Sequence, residues 1–190
     1  MKEPIDILRP DGALSTEAYN RADRDEIHMT GDWHGSVHVW LVDTANGDIL
    51  LQQRAKTKES FPGMLDAPVA GHIAAGETPQ EAALREASEE IGIDIDPDEL
   101  ALVGVHRLII EHPERRFVSR EFNYVFACEA DIRNLSLKRD PSEIDGFDCL
   151  DIGYFLRNVH GPMMTPCCVA PAEIALLKAY LEEDKDKGER

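Results

Sequence analysis

The sequence predicts a fold of the α/β class: either α+β or a three-layer α/β/α sandwich with a mixed sheet. Three observations carry this. Short strand-like runs are punctuated by turn signals. A strongly capped helix between Thr78 and Gly92 interrupts them. Near the C-terminus, Ile174, Leu177 and Leu181 recur at helical spacing within Pro166 to Glu183 and predict a helix that packs on the core. Strands mixed with few helices fit a layered domain.

Taken in order, Ile5 to Leu8 and Ala13 to Ala18 flank the turn signal Arg9 to Gly12, which predicts a short hairpin. Asn20 to Ile27 is polar and reads as a helical turn or loop. His34 to Val42 alternates weakly and ends at Asp43 to Gly47, a hairpin loop whose returning strand is Ile49 to Arg54. Ala55 to Phe61 is a basic-polar loop closed by Pro62 and Gly63. Met64 to Ala70 is a short strand. After the capped helix, strands are expected at Leu100 to Ile110, Arg120 to Ala130 and Glu143 to Leu150. A short helix follows at Asp151 to Val159. Residues 182–190 read as a charged, frayed tail, and no internal repeat is visible.

The central helix is legible from its ends. Thr78 suits the N-cap, Pro79 the first helical position, and Glu81 completes a capping box. Gly92 sits where a left-handed C-cap glycine belongs. Ala83, Leu84, Ala87 and Ile91 form an apolar stripe. Glu86, Glu89 and Glu90 stand at i, i+3 and i+4, so their carboxylates share one face. Arg85 offsets part of this charge through Glu81 and Glu89 at i±4. Like charges at this spacing repel in water. They suit a hard cation such as Mg²⁺, which takes oxygen ligands.

At 190 residues the chain is one domain with room for a proper core. The net charge of -17 argues against a nucleic-acid backbone as partner. An anionic small substrate needs a divalent cation to enter such a surface. The four cysteines show no zinc spacing and read as free thiols. No secretory leader and no membrane-length apolar run is visible, so the expected compartment is cytoplasmic.

The stretch from Gly71 to Ile93 resembles the Nudix box, G-x5-E-x7-R-E-U-x-E-E-x-G-U with U apolar. Gly71, Glu77, Arg85, Glu86, Glu89, Glu90 and Gly92 fill every fixed position. Ala87, Ile91 and Ile93 fall at or beside the apolar ones. The resemblance implies the α/β/α sandwich over residues 34–160, which leaves 1–33 as a hairpin extension of one domain, and hydrolysis of a diphosphate linked to another group X. It implies Mg²⁺, or Mn²⁺, as cofactor. By the same resemblance Glu89 and Glu90 are core metal ligands. Glu86 is a third ligand or the base that orients water. Arg85 fixes a glutamate, and the carbonyl of Ala70 or Gly71 completes the metal shell. Glu77 has a structural or supporting catalytic role. A further glutamate outside the box is expected to assist, with Glu121 and Glu143 as candidates.

The flanks, His34 to Trp40, Leu50 to Arg54, Pro62 to Asp66 and Ala70 to His72, resemble the isopentenyl-diphosphate-isomerase-like branch of that family. Glu121 to Phe126 continues the likeness. The isomerases build a separate metal site from three histidines and two glutamates. His28, His34, His72 and Glu121 fall near those places, with Ser119 at the second glutamate position. The isomerase cysteine is replaced by Ala70. Basic candidates for the rest of the substrate are Arg54, Lys56, Lys58, Arg115, Arg116 and Arg120, with Arg54 preferred. The expected partner is a small diphosphate: a nucleoside diphosphate or triphosphate, or an isoprenoid diphosphate. A homodimer through the N-terminal hairpin is a further expectation. The competing readings are an isopentenyl-diphosphate isomerase and a non-catalytic ligand-binding module.

Overall fold

In the computed structural model, residues 4–9, 18–58, 60–112, 114, 116–159 and 161–188 are described. The elements run β1 (Pro4–Leu8), β2 (Ala18–Asp23), α1 (Arg24–Thr30), β3 (Trp33–Asp43), β4 (Asp48–Arg54), β5 (Leu65–Asp66), β6 (Val69–His72), α2 (Pro79–Glu86), β7 (Ala101–His112), β8 (Phe117–Glu129), β9 (Ile144–Asp151), α3 (Ile152–Asn158) and α4 (Pro171–Gly188).

One seven-stranded sheet has the order β5-β4-β3-β8-β7, with β6 on β3 and β9 on β4. Strands β3 and β8 are parallel, and the other pairs are antiparallel. Strand β3 alternates between two buried faces, which explains its weak polar alternation in sequence. Val37, Val39 and Leu41 join Phe122, Tyr124 and Phe126 of β8 beneath the α2 side, where Ala82, Ala83, Ala87 and Ile91 pack. Trp40 and Val42 join Ile49, Leu51, Val125 and Ala127 on the other face, against Phe155 of α3 and Ile174, Leu177 and Leu181 of α4. The result is the expected mixed-sheet sandwich.

The sheet forks at a defined place. Strands β3 and β4 pair only near their hairpin, at Val42↔Ile49 and Asp43↔Asp48. Beyond that they part. Strand β5 joins β4 at Gln52↔Asp66 and Gln53↔Leu65, while β6 joins β3 from Ser36↔His72 to Val39↔Val69. The expected single strand Met64 to Ala70 is therefore two strands, one on each tine. The fork opens a cavity inside the sheet.

Two N-terminal expectations change. The strand opposite β1 is Ala18–Asp23, and the rest of the polar run enters helix α1. The expected turn and strand at 10–17 lie outside the described residues. Ile5, Ile7 and Ile27 give the hairpin its own small core. The hairpin is moored to the loop ahead of α2: Gly76 N–H donates to Asp6 Oδ2 at 2.8 Å, and Ala75 N–H to the Pro4 carbonyl at 2.9 Å. The expected frayed C-terminal tail is helical as far as Gly188.

Candidate active site

Helix α2 starts as its sequence prescribes. The Thr78 hydroxyl accepts the Glu81 N–H at 3.2 Å, and Glu81 accepts the Thr78 N–H at 2.8 Å. Glu81 therefore serves the cap and does not pair with Arg85. The last turn departs from the α-helix. Ala87–Ile91 is a π turn, ended by Gly92 with φ +70. The widened turn carries Glu89 and Glu90, and such bulges are frequent at functional sites. Glu89 is solvent-exposed, whereas Glu90 turns into the fork.

Gly71 makes that approach possible. A Cβ there would stand 2.2 Å from Glu86 Cδ, so only a hydrogen fits beneath the carboxylate. One residue earlier, Ala70 N–H donates to Glu90 Oε2 at 3.1 Å. Burial pushes the Glu90 carboxyl up. The Ala70 bond opposes this, Glu86 and Glu143 add to it, and the result is about 8. Carboxylates so crowded that one resists ionisation are a donor set that a divalent cation relieves.

Arg85 ties the cluster together. Its Nε and Nη2 donate to the two Glu77 oxygens at 2.8 and 2.9 Å, and its Nη1 to Glu86 at 2.8 Å and Glu89 at 3.3 Å. Nη2 also donates to the His72 carbonyl at 3.1 Å. The planar fork joins four groups at once, which an ammonium cannot do. Glu77 also accepts the Ala74 N–H at 2.9 Å, so it pins the turn that enters the helix.

The two outside glutamates separate in space. Glu143, bonded by Lys58, lines the cavity and acts electrostatically on Glu90. Glu121 lies opposite His34 in the β3–β8 register and accepts the Ser119 hydroxyl at 2.5 Å. Arg54 lines the cavity wall, with its fork engaged by Asp66 at 3.0 Å and by the Ser60 carbonyl at 3.0 and 3.2 Å. Arg120 is turned to the Gly31 carbonyl at 2.8 Å. Arg116 is at the exposed rim of the cavity, and Lys56 is exposed outside it. Arg115 lies outside the described residues.

At the other end of the same cavity, His28, His34 and His72 place their ligand nitrogens within 4.8 Å of one another. They come from α1, β3 and β6, so only the fold assembles them. Burial, with His34 and Arg24 nearby, holds His28 down to about 4, and burial also keeps His72 low. Neutral imidazole is the metal-binding form. Burial raises the Glu121 carboxyl, but His34, His72 and the serine hydroxyls outweigh it and hold it low. Three imidazoles beside a carboxylate can hold a transition-metal ion.

The cavity encloses about 1150 Å³. Two of its features had no sequence signal. Cys167 lines it, carried there by the segment that pairs with β5 through Leu65 and Thr165. His38 lines it as well, and its Nδ1 donates to Glu173 of α4 at 2.8 Å. Glu173 also accepts Trp40 Nε1 at 2.9 Å and Asn123 Nδ2 at 3.2 Å, deep in the core. Burial lowers His38, yet Glu173 overrides it and holds the imidazole up at about 9.

A mixed sheet between helical layers, with a carboxylate-bearing helix over its fork, defines the class. The chain belongs to the NUDIX domain family, whose profile matches residues 32–160. It is 38% identical to Nudix hydrolase 3 of Arabidopsis thaliana over 125 residues, which is 66% of this chain and 16% of that protein. It is 33% identical to an uncharacterized Nudix hydrolase of Clostridium acetobutylicum, covering 72% of this chain and 66% of that one. An isopentenyl-diphosphate Delta-isomerase of Streptomyces coelicolor is 34% identical over 61% of this chain and 56% of its own length. The chain thus spans under two thirds of each of these relatives. Among solved structures, DR0079 of Deinococcus radiodurans superposes with a TM-score of 0.61 at 23% identity, covering 86% of this chain and 92% of that one. An Ap4A hydrolase of C. elegans gives 0.54 at 15%, covering 78% and 98%. Both likenesses are of fold.

Proposed function

We propose that the chain is a divalent-cation-dependent hydrolase of the diphosphate bond in a nucleoside diphosphate derivative or related organic diphosphate. The observation that carries this is Glu86 and Glu90 set against the Gly71 and Ala70 backbone, with Glu143 acting electrostatically on Glu90, which is pushed up to about 8. The donor set is all oxygen, which suits Mg²⁺ or Mn²⁺. Glu86, Glu89, Glu90 and the Ala70 carbonyl are the residues that would hold the ion. Such an ion supplies neutralisation of the diphosphate oxygens and a more acidic bound water. The chain's own residues do the rest. Arg85 keeps Glu86 and Glu89 oriented. Glu86 is the acceptor for the proton of the attacking water, and Glu143 stands beside the cluster as the outside acid. Arg54 adds positive potential on the wall facing the phosphates. Glu121 serves the histidine end of the cavity.

The test is phosphate release from a panel of organic diphosphates with Mg²⁺, repeated after chelation and in Glu86→Gln. Turnover that needs the cation and falls about 10²-fold or more in the variant supports the reading. Full turnover after chelation would defeat it.

The isomerase reading has one observation in its favour, the assembled His28, His34, His72 and Glu121. Against it stand Ala70 and Ser119, which offer a methyl and a hydroxyl where the isomerases have a thiol and a carboxylate. A pure binding module fits poorly with a complete set of box carboxylates. We read the chain as one domain with the hairpin as an extension. A homodimer through that hairpin would show as a doubled mass in light scattering.

A further inference from the structure

Among the buried polar side chains of the described residues, Gln52 stands apart. It lies on β4 at 3% exposure and lines the cavity. Its backbone is paired on both sides, with Asp66 of β5 and Phe147 of β9. The side chain is therefore presented from a fixed point. Among the described residues its carboxamide has no hydrogen-bond partner, and neither amide atom is sealed from the cavity. The neighbouring Gln53, by contrast, donates to the Gly63 carbonyl at 3.3 Å. Asp66, Asn123, Thr165 and Glu173 are all bonded. Among the described residues, buried His28 and Tyr124 also lack such a bond, His28 as part of the histidine cluster, and the His112 Nε2 atom is buried without a partner.

A second observation concerns another part of the same cavity wall. Phe61 lines the cavity in a left-handed conformation, φ 52, which a bulky residue adopts only under constraint. Its ring lies 5.2 Å from His112, which lies 5.8 Å from Phe117, also on the cavity wall. The cavity thus offers aromatic surface and an unengaged amide, a donor and an acceptor side by side. Meanwhile Arg54, Lys58 and Arg85 are already bound to carboxylates. The cations of this wall are engaged, Arg116 stands at the rim, and the amide remains for an uncharged group.

We propose that Gln52 is a specificity residue that hydrogen-bonds an uncharged edge of the X group, one carrying both a donor and an acceptor. This rests on the diphosphate reading above and deepens it. A nucleobase edge and the paired hydroxyls of a sugar both have this chemistry, and a prenyl chain has neither. A site whose buried amide waits for a partner discriminates against a ligand that leaves it unpaired.

The experiment uses the full chain, Gln52→Leu, and a panel of ADP-, GDP-, CDP- and UDP-glucose, ADP-ribose, and isopentenyl and geranyl diphosphates. Two quantities are read: kcat/KM with Mg²⁺, and the melting-temperature shift each compound causes. Gln52→Leu should lower kcat/KM for the best nucleotide sugar about 10- to 100-fold relative to that for isopentenyl diphosphate. The ligand-free variant should melt close to the natural protein, because the amide faces the open cavity and no protein partner is lost when an apolar group of similar size replaces it. A packing role would lower the melting temperature instead. Dependence on the base assigns the edge to the nucleobase, and dependence on the sugar assigns it to the hydroxyls. An unchanged preference between nucleotide sugars and prenyl diphosphates would overturn the proposal. If nothing on the panel is hydrolysed, the hydrolase reading fails. The Gln52 proposal is then judged on the melting shifts, and equal shifts in both proteins refute it.

Discussion

Glu90→Gln separates the energetic role of the cluster from its chemical one. Glu90 titrates near 8 in the folded chain against an ordinary 4.5, because it is buried beside Glu86 and Glu143. The sign follows from linkage: a carboxyl whose folded value is raised stabilises nothing at high pH. Between the two values the folded state holds a proton that the unfolded state has released, so stability falls as pH rises from about 4.5 to 8. The loss is below about 1 kcal/mol at pH 5 and about 3 kcal/mol at pH 7. Water at the cavity mouth trims the latter to about 2 kcal/mol. Glutamine keeps the acceptor for the Ala70 N–H and removes the charge. In chelator, Glu90→Gln should therefore melt about 4 to 8 °C above the natural protein at pH 7, with a much smaller gain at pH 5. With saturating Mg²⁺ the order should reverse, since binding stabilises only the chain that keeps its ligand. The assay is thermal unfolding at both pH values, with chelator and with Mg²⁺. An equal gain at pH 5 and pH 7 would show that Glu90 is not electrostatically strained, and the argument would fail.

Gly71→Ala should abolish most activity, by about 10²-fold or more, because its Cβ would meet Glu86 Cδ at 2.2 Å and push the carboxylate away; steady-state kinetics on a folded sample checks it. Arg85→Lys should lower kcat more than it changes KM, since one ammonium cannot hold Glu77, Glu86 and the His72 carbonyl together; retained kcat would show the fork to be dispensable. Isopentenyl diphosphate should give no dimethylallyl product, read by mass spectrometry or NMR, and clear isomerisation would reverse the assignment.

The box helix was legible because its signals are local. Thr78, Pro79, Glu81 and Gly92 do in space what their spacing implies, and β3, β4, β7, β8 and β9 fall close to their expected ranges, unlike the strand expected at Met64 to Ala70. The π turn was not legible, since a shift of backbone bonds from i+4 to i+5 leaves no mark in composition. Gln52, His38 and Cys167 were hidden for a different reason. Each becomes a wall of the cavity only because β3 and β4 part after Val42 and Ile49. That depends on the pairing of β5 and β6, very short strands whose partners no local pattern names. The choice between Glu121 and Glu143 was open for the same reason. Their positions relative to Glu90 are set by β8 and by the turn before β9, far apart in the chain.

The structure also sharpens why the histidine cluster need not mean isomerisation. Moving a double bond requires one group to protonate a carbon and another to take a proton from the far side of the substrate. Ala70 lies directly opposite His38 in the β3–β6 register, on the tine that also carries His72. A methyl there transfers no proton. Cys167 does bring a thiol to the cavity, but burial, with Asp66 and Glu121 nearby, pushes it well above the usual thiol range. It stays neutral and arrives from the β5 side of the fork, not from the β6 position. His38 is committed at Nδ1 to Glu173, a partner from a helix beyond the NUDIX match. Meanwhile every box carboxylate is kept, and Arg85 organises them around Gly71. The isomerase thiol and second carboxylate are replaced by Ala70 and Ser119, whereas Glu77, Glu86 and Glu89 of the box are tied together by Arg85, which favours the hydrolase proposed above. On that proposal the histidines are a second polar anchor at the far end of a cavity whose reacting end would be the acidic helix.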